Sequence, residues 1–360
     1  MSHDGSMSEP VLTTAQLNRA LLARQYLLDR ESSELPPALE QVAGLQAQSR
    51  SAYLGLWARV AGFKRDQLTD ALEDRSVIQA SLMRQTIHVV SQHDFVMMAA
   101  GVRRARRDWW LRVSRSRGLD ELAYRDLAEK LATVLKDGPR THSQLLDDTD
   151  NAGYPRHAFE GVVLWLDLVR IPPEGTWDHP RADLFGLAND WIDPTTPRVD
   201  EVEVSAGLDL LAQRYFRAFG PAPLTDVASW AGVPVASLEP SIERLDLRRF
   251  RNEKGGVLLD LPYGPLPDPD TPAPIRFLPM WDAVLLVHAK RAAVITEAHR
   301  KVALGTSNPA GVGTFLVDGA VAGTWRFDDG QVHSEPFDPL PSPVADEVAA
   351  EASRLADFHS

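Results

Sequence analysis

The heptapeptide GLQAQSR, residues 44–50, sets two glutamines, Gln46 and Gln48, around one alanine in an apolar neighbourhood. A core at that place would accept leucine. A carboxamide carries an acceptor oxygen and two N–H donors without carrying charge. Two of them can hold a water, face a developing cation or grip a phosphate, and they offer no proton to a leaving group at neutral pH. The local alternative is that both amides satisfy backbone groups left open at a helix end. Few rival chemistries are available. The chain has no cysteine, which removes disulfides, thiolate nucleophiles and thiolate zinc sites together. Its ten histidines are scattered without H-E-x-x-H spacing, so no metal is expected. Gly-x-Ser-x-Gly, Gly-x-x-x-x-Gly-Lys and a strand-linked Gly-x-Gly-x-x-Gly are all missing, so hydrolase-elbow, P-loop and dinucleotide readings lack support and no cofactor is called for.

The elements that must position the glutamines can be read in turn. Thr13-Thr14-Ala15-Gln16 has the form of a capping box ahead of Leu17, Leu21, Leu22 and Leu27, and starts a first helix. A second is expected over 36–48, with proline in its first turn, which puts the glutamines at its C-terminal end. Residues at i and i+2 do not share one face of a regular helix, so their convergence needs fraying at Ser49-Arg50-Ser51. Further helices are expected over 52–62 and 65–73. The β-branched stretch SVIQASLMRQTIHVV then breaks near Met83 and Arg84 as a hairpin. Helices closed by a hairpin make a winged helix.

The pattern returns twice. LATVLKDGPRTHSQLLDD and RYFRAFGPAPLTDVASWAG both run from a helix through Gly-Pro into a second amphipathic helix, with Gly138-Pro139 and Gly220-Pro221 lying 82 residues apart. Each leads to another helical stretch, 158–168 and 235–245, and then to strand-like sequence. After the proline-rich 261–275 the character turns to β, with Asp318-Gly319 and Asp329-Gly330 as hairpin turns and a closing helix over 344–358. The expected fold class is α+β: tandem winged-helix units over 11–118, 119–198 and 199–262, with a β-rich region and closing helix over 263–360.

A net charge of −12 argues at first against a nucleic-acid partner. The total hides an asymmetry. Residues 101–118 hold seven arginines, Arg103, Arg104, Arg106, Arg107, Arg112, Arg115 and Arg117, against Asp108 alone, so this segment carries +6 and the remainder −18. The segment is either a DNA-contacting face or a solvated amphipathic helix with Trp109 and Trp110 in the core. No apolar run reaches membrane-spanning length and the first residues lack a signal-peptide pattern, so a cytoplasmic protein without a membrane partner is expected.

The segments LNRALLARQYLL, VAGLQAQSRSAYLGLWARV and LMRQTIHVV, followed by AFGPAPLTDVASWAG, FLPMWDAVLLV and LVDGAVAGTWR, resemble in the same order the winged-helix DNA glycosylase family typified by the azinomycin-resistance glycosylase AlkZ. The resemblance runs over about residues 11–358. Its Gln-x-Gln motif, with an apolar middle residue, is matched by Gln46-Ala47-Gln48; a sister branch has Asp at the second position, and this chain does not. The resemblance implies tandem winged helices around a DNA channel, a partner duplex carrying alkylated purines, and excision of N7-alkylguanine adducts, bulky lesions and interstrand crosslinks included. It makes Gln46 and Gln48 the catalytic pair.

Alkylation at N7 makes the guanine cationic and a good leaving group, so what remains is to place a water near C1′ and to stabilise an oxocarbenium-like sugar, which neutral amides can do. A monofunctional, monomeric enzyme is expected, since none of the six lysines adjoins the glutamines as a strand-cleaving amine would. Arg84, Thr86 and His88 match the family's Arg-x-Thr-φ-His segment, and either line the lesion channel or bond locally in their hairpin. Trp281 and Asp282 match Leu-Pro-x-aromatic-Asp: Asp282 either orients an arginine or approaches the sugar, or else closes a buried ion pair beneath the aromatic ring. The Asp318-Gly319 turn either probes the minor groove or is only a turn. Lys290, Arg291, Arg300 and Lys301 are candidate phosphate contacts. The rival readings are a non-enzymatic winged-helix regulator and a drug-sequestering resistance protein.

Overall fold

The computed structural model describes residues 9–288, 293–304 and 312–360, with the backbone alone described for 301–304. After β1 (Val11–Leu12), α1 (Thr14–Arg24) begins at the expected capping box: Gln16 N donates to Thr13 Oγ1 at 3.1 Å, and Thr13 N to Gln16 Oε1 at 2.9 Å. The next element departs from expectation. α2 (Leu35–Val42) stops six residues short of Gln48, because Ala43 and Gly44 both take left-handed backbone, with φ of 61° and 75°. Gly44 also lies against Val90, where a Cβ would come within 2.6 Å of Val90 Cγ1, so the reversal tolerates no side chain. The chain leaves it as β2 (Leu45–Gln46). Gln46 therefore sits on extended chain and Gln48 at the bend that follows it, and neither is on a fraying helix.

α3 (Ser51–Arg59) and α4 (Arg65–Glu73) lead to β3 (Val77–Ser81) and β4 (Ile87–Ser91), the expected antiparallel hairpin, reversed by the turn Met83–Gln85 with Arg84 and Gln85 at φ of 51° and 60°. α5 (Gln92–Val113) is capped by Ser91, whose Oγ accepts from Asp94 N, and runs back across the sheet. In the second repeat the helix Glu121–Lys136 precedes β5 (Arg140–Thr141), and the helix His142–Asn151 opens on a Thr141/Gln144 capping box. The helix expected over 158–168 covers only Phe159–Val162, because the chain must straighten into β6 (Leu168–Arg170) to pair with β7 (Leu184–Leu187). The strands of the two repeats join in one six-stranded sheet of order β2-β4-β3-β6-β7-β5, Ala80 facing Val169 across the junction.

The third repeat brings the helices Val204–Phe219, Leu224–Ala231 and Val235–Arg244 and the hairpin β8 (Arg248–Asn252) and β9 (Val257–Asp260), to which β1 adds in parallel. Its long helix crosses α5 at Gly101 and Gly207. A Cβ on Gly207 would stand 2.4 Å from Gly101 N, so only glycine permits that approach. Phe95, Met98, Tyr215, Phe216, Phe219 and Trp230 form the centre of the largest core there. The C-terminal meander is β10 (Arg276–Leu278), β11 (Gly313–Val317), β12 (Ala320–Asp328) and β13 (Gln331–Pro336), its two Asp-Gly turns at φ near 46° and 75–78°, as a type I′ turn requires. The helix Ser342–His359 closes the chain. Among the described residues no helix is long and apolar enough to cross a membrane.

Candidate active site

In extended chain residues i and i+2 point to the same side. Gln46 lies directly opposite His88 in the β2–β4 ladder, and Ala47 N donates to Ile87 O at 2.9 Å, so the extended course continues toward Gln48. Ser49, at φ 56°, then turns the chain into α3, and Gln48 O is taken by Ser51 N and Oγ at 3.2 and 2.7 Å. Gln46, His88 and Ala80 share one face, the alanine leaving space beside the two polar groups. On the opposite face Gln79, 2 % exposed, reaches the backbone carbonyl of Ala47 at 3.4 Å.

The side-chain amides of Gln46 and Gln48 make no hydrogen bond among the described residues, and Gln48 Oε1 is buried without a partner. They do not satisfy a helix end. His88 is buried, with its Nδ1 2.9 Å from Thr86 O, which makes Nδ1–H the donor and leaves Nε2 an acceptor. Burial foremost, then the Arg84 and Arg106 cations, push its pKa down to about 4 against the Thr86 hydrogen bond. His88 is thus a neutral group, not a cationic phosphate contact. Glu40, the acid of α2, is engaged: Arg214 Nη2 and Ser91 Oγ donate to it at 2.7 and 2.9 Å. Beside the amides, then, His88 is neutral, and the charges of Arg84 and Arg106 act on it.

The arginines of α5 divide. Arg103 is committed to Asp167 through two contacts of 2.9 and 3.0 Å, and Arg107 donates to Leu164 O at 2.8 Å while lying over Trp165. Arg106 donates to Ser81 O at 3.1 Å, whereas Arg104 is exposed, 3.9 Å from Asp108. Trp110 is buried but Trp109 is 45 % exposed, so the basic helix is neither a uniform outer face nor anchored by both indoles.

A family model described as DNA glycosylase AlkZ-like matches residues 39–358. The chain belongs to the AlkZ-like DNA glycosylase family. A solved structure, the Streptomyces sahachiroi DNA glycosylase AlkZ, is similar over 96 % of this chain and 97 % of that chain, with a TM-score of 0.80 at 19 % identity. No curated protein matches. The protein is a DNA glycosylase, an enzyme whose substrate is DNA, and the non-enzymatic regulator is set aside.

Other residues singled out in the sequence have neighbours of their own. Arg84 is on the left-handed turn Met83–Gln85, packed against Gly232, and Thr86 Oγ1 bonds locally to Met83 O at 3.1 Å. Asp282 is buried, both oxygens held by Arg59 at 2.8 and 2.9 Å, and one also caps Val284 N, so it closes a buried ion pair. Trp281 beside it is left-handed, at φ 56°. The Asp318-Gly319 turn is tied to α1, Gly319 O by Asn18 Nδ2 at 2.8 Å and Asp318 by Arg19. Arg300 is exposed on the helix Glu297–Leu304, 3.8 Å from Glu297. Lys290 and Arg291 lie outside the described residues, as does the side chain of Lys301. Sequence reading passed over Gln79, a lone amide in a β-branched run, and Arg170, a lone cation in the apolar LVRI. Each is a polar residue at a strand position, which is the signal that marks it.

Proposed function

We propose that this glycosylase is monofunctional and hydrolyses the N-glycosidic bond of N7-alkylguanine, bulky adducts and interstrand crosslinks included, in DNA held by tandem winged-helix units over 11–118, 119–198 and 199–262, with 263–360 as a C-terminal support. The observation that carries the reading is that Gln48 Oε1 is buried without a partner and that buried Gln46 lies opposite a neutral histidine. A buried acceptor without a partner is held for a ligand or a water. Gln48 Oε1 accepts a hydrogen bond from the attacking water and faces the positive sugar, Gln46 fixes the water from the strand, and the water's proton passes to solvent once its oxygen has bonded C1′ and the base has left neutral. The lesion's own charge supplies the leaving-group activation that an acid would otherwise provide. Arg84 and Arg106, whose charges act on His88, hold backbone phosphate. The enzyme acts as a monomer.

The test is a duplex carrying one N7-methylguanine, incubated with the protein and followed by chromatography of the released base. Free 7-methylguanine with an alkali-labile abasic site is expected. A mobility shift without base release contradicts the reading and returns the sequestering alternative.

A further inference from the structure

A cavity of about 250 Å³ separates α5 from the second repeat, and it does not include the glutamines. Arg103 and Arg106 line it from α5, Arg170 from β6, and Phe159 and Phe185 form apolar walls. Two acids also line it, and both are spoken for: Asp167 by Arg103, and Glu160 by Arg117, which stands outside the cavity. That leaves two guanidiniums to which no carboxylate is bonded: Arg106, on Ser81 O at 3.1 Å with Asp167 acting on it only through space, and Arg170, on Ala182 O at 2.9 Å and over the Phe185 ring at 5.0 Å. The Nε atoms of Arg103 and Arg106 are buried without any partner. Burial pushes the pKa of both Arg106 and Arg170 down to about 10, and for Arg170 no acid opposes it. Enclosing two cations that have no bonded carboxylate is costly unless an anion joins them.

We propose that this cavity is a seat for one phosphate-group oxyanion, gripped from opposite sides by Arg106 and Arg170. A guanidinium fork matches phosphate oxygens, the two orphaned Nε donors add further bonds, and the aromatic walls exclude water and strengthen each. The seat does not depend on the excision chemistry; only the assignment of its phosphate to DNA rests on the function proposed above. The same chemistry is offered by a backbone phosphate of the duplex and by a free phosphate or mononucleotide.

Titration of the full-length protein with inorganic phosphate, read by ³¹P line broadening and by melting temperature, tests the seat without any base excision. Saturable binding is expected in the wild type and in the surface control Arg326→Met, and its loss in Arg170→Met. Should that variant fail to fold, Arg170→Lys keeps the charge but not the fork, and phosphate affinity should fall about tenfold, the worth of one charge-assisted hydrogen bond. Undamaged duplex that displaces the bound phosphate assigns the seat to the DNA backbone, and phosphate that stays bound assigns it to a free ligand. Absence of saturable binding in the wild type, or equal binding in Arg170→Met, overturns the proposal.

Discussion

Two sets of buried polar groups stand close together in this glycosylase and are treated in opposite ways. Around α1, α3 and the helix Val204–Phe219, each carboxylate is fully engaged: Asp282 by Arg59, Asp260 by Arg24 and Arg248, Asp94 by both arms of Arg214. Among the described residues the side-chain amides of Gln46, on β2, and Gln48, just past it, make no hydrogen bond, and left-handed backbone is found at Ser49, Arg84 and Gln85. Backbone of that kind costs energy that the surroundings must supply. The first set fixes the elements to one another; the second is what they hold open.

The largest expected effect breaks the first set. Arg59→Ala strands Asp282 as a buried uncompensated charge, and should cost about 3–5 kcal/mol in urea denaturation. Excision per folded molecule should stay near that of the wild type. A loss of excision in fully folded Arg59→Ala would mean that the two sets are not separate.

His88 gives a second handle of similar size. Its folded pKa of about 4 lies below the ordinary 6.5, so the unfolded chain binds the extra proton first as pH falls. Stability is intact above 6.5, declines as pH drops through 6.5 toward 4, and loses no more below that, the total being about 3 kcal/mol at 1.36 kcal/mol per unit. Denaturation of His88→Gln should lack this component. An unchanged pH dependence would mean that His88 is not neutral in the fold.

Gln48→Ala and Gln46→Ala should each lower single-turnover excision by roughly 10²-fold or more, about 2.7 kcal/mol, because each removes one positioned polar group. Melting temperature and duplex affinity should scarcely change, since the amides support nothing structural. The smallest effect concerns salt. Arg104→Gln should flatten the salt dependence of DNA binding by about 0.9 in slope, the value for one phosphate contact. Equal slopes for Arg104→Gln and wild type would make the exposed arginine a solvating group.

The contrast was only half legible in the sequence. The capping box at Thr13 and both Asp-Gly turns are local signals and lie where the sequence places them, and a second capping box, at Thr141, follows the first Gly-Pro pair. The glutamines were recognised but misplaced, because LPPALEQVAGLQAQ keeps helical spacing and the stop is made partly by Ala43, a residue that seldom turns left-handed. The sheet joining the two repeats depends on β3 meeting β6, and the engagement of Asp282 on Arg59, 223 residues away. Neither pairing leaves a mark within a window of sequence. The freedom of the amides is likewise a property of the neighbours, not of the motif.

The central claim is that neutral amides, with no acid beside them, remove a base that already carries its own positive charge. One side-by-side measurement bears on it most directly: release of 7-methylguanine, 3-methyladenine, uracil and 1,N6-ethenoadenine from otherwise identical duplexes. Base flipping costs only a few kcal/mol and differs little among these, so bond lability should set the order. The account predicts release of the two cationic bases and no detectable release of uracil or ethenoadenine. Efficient release of either neutral base would contradict it, since that requires a proton donor that Gln46, Gln48 and a neutral His88 do not supply.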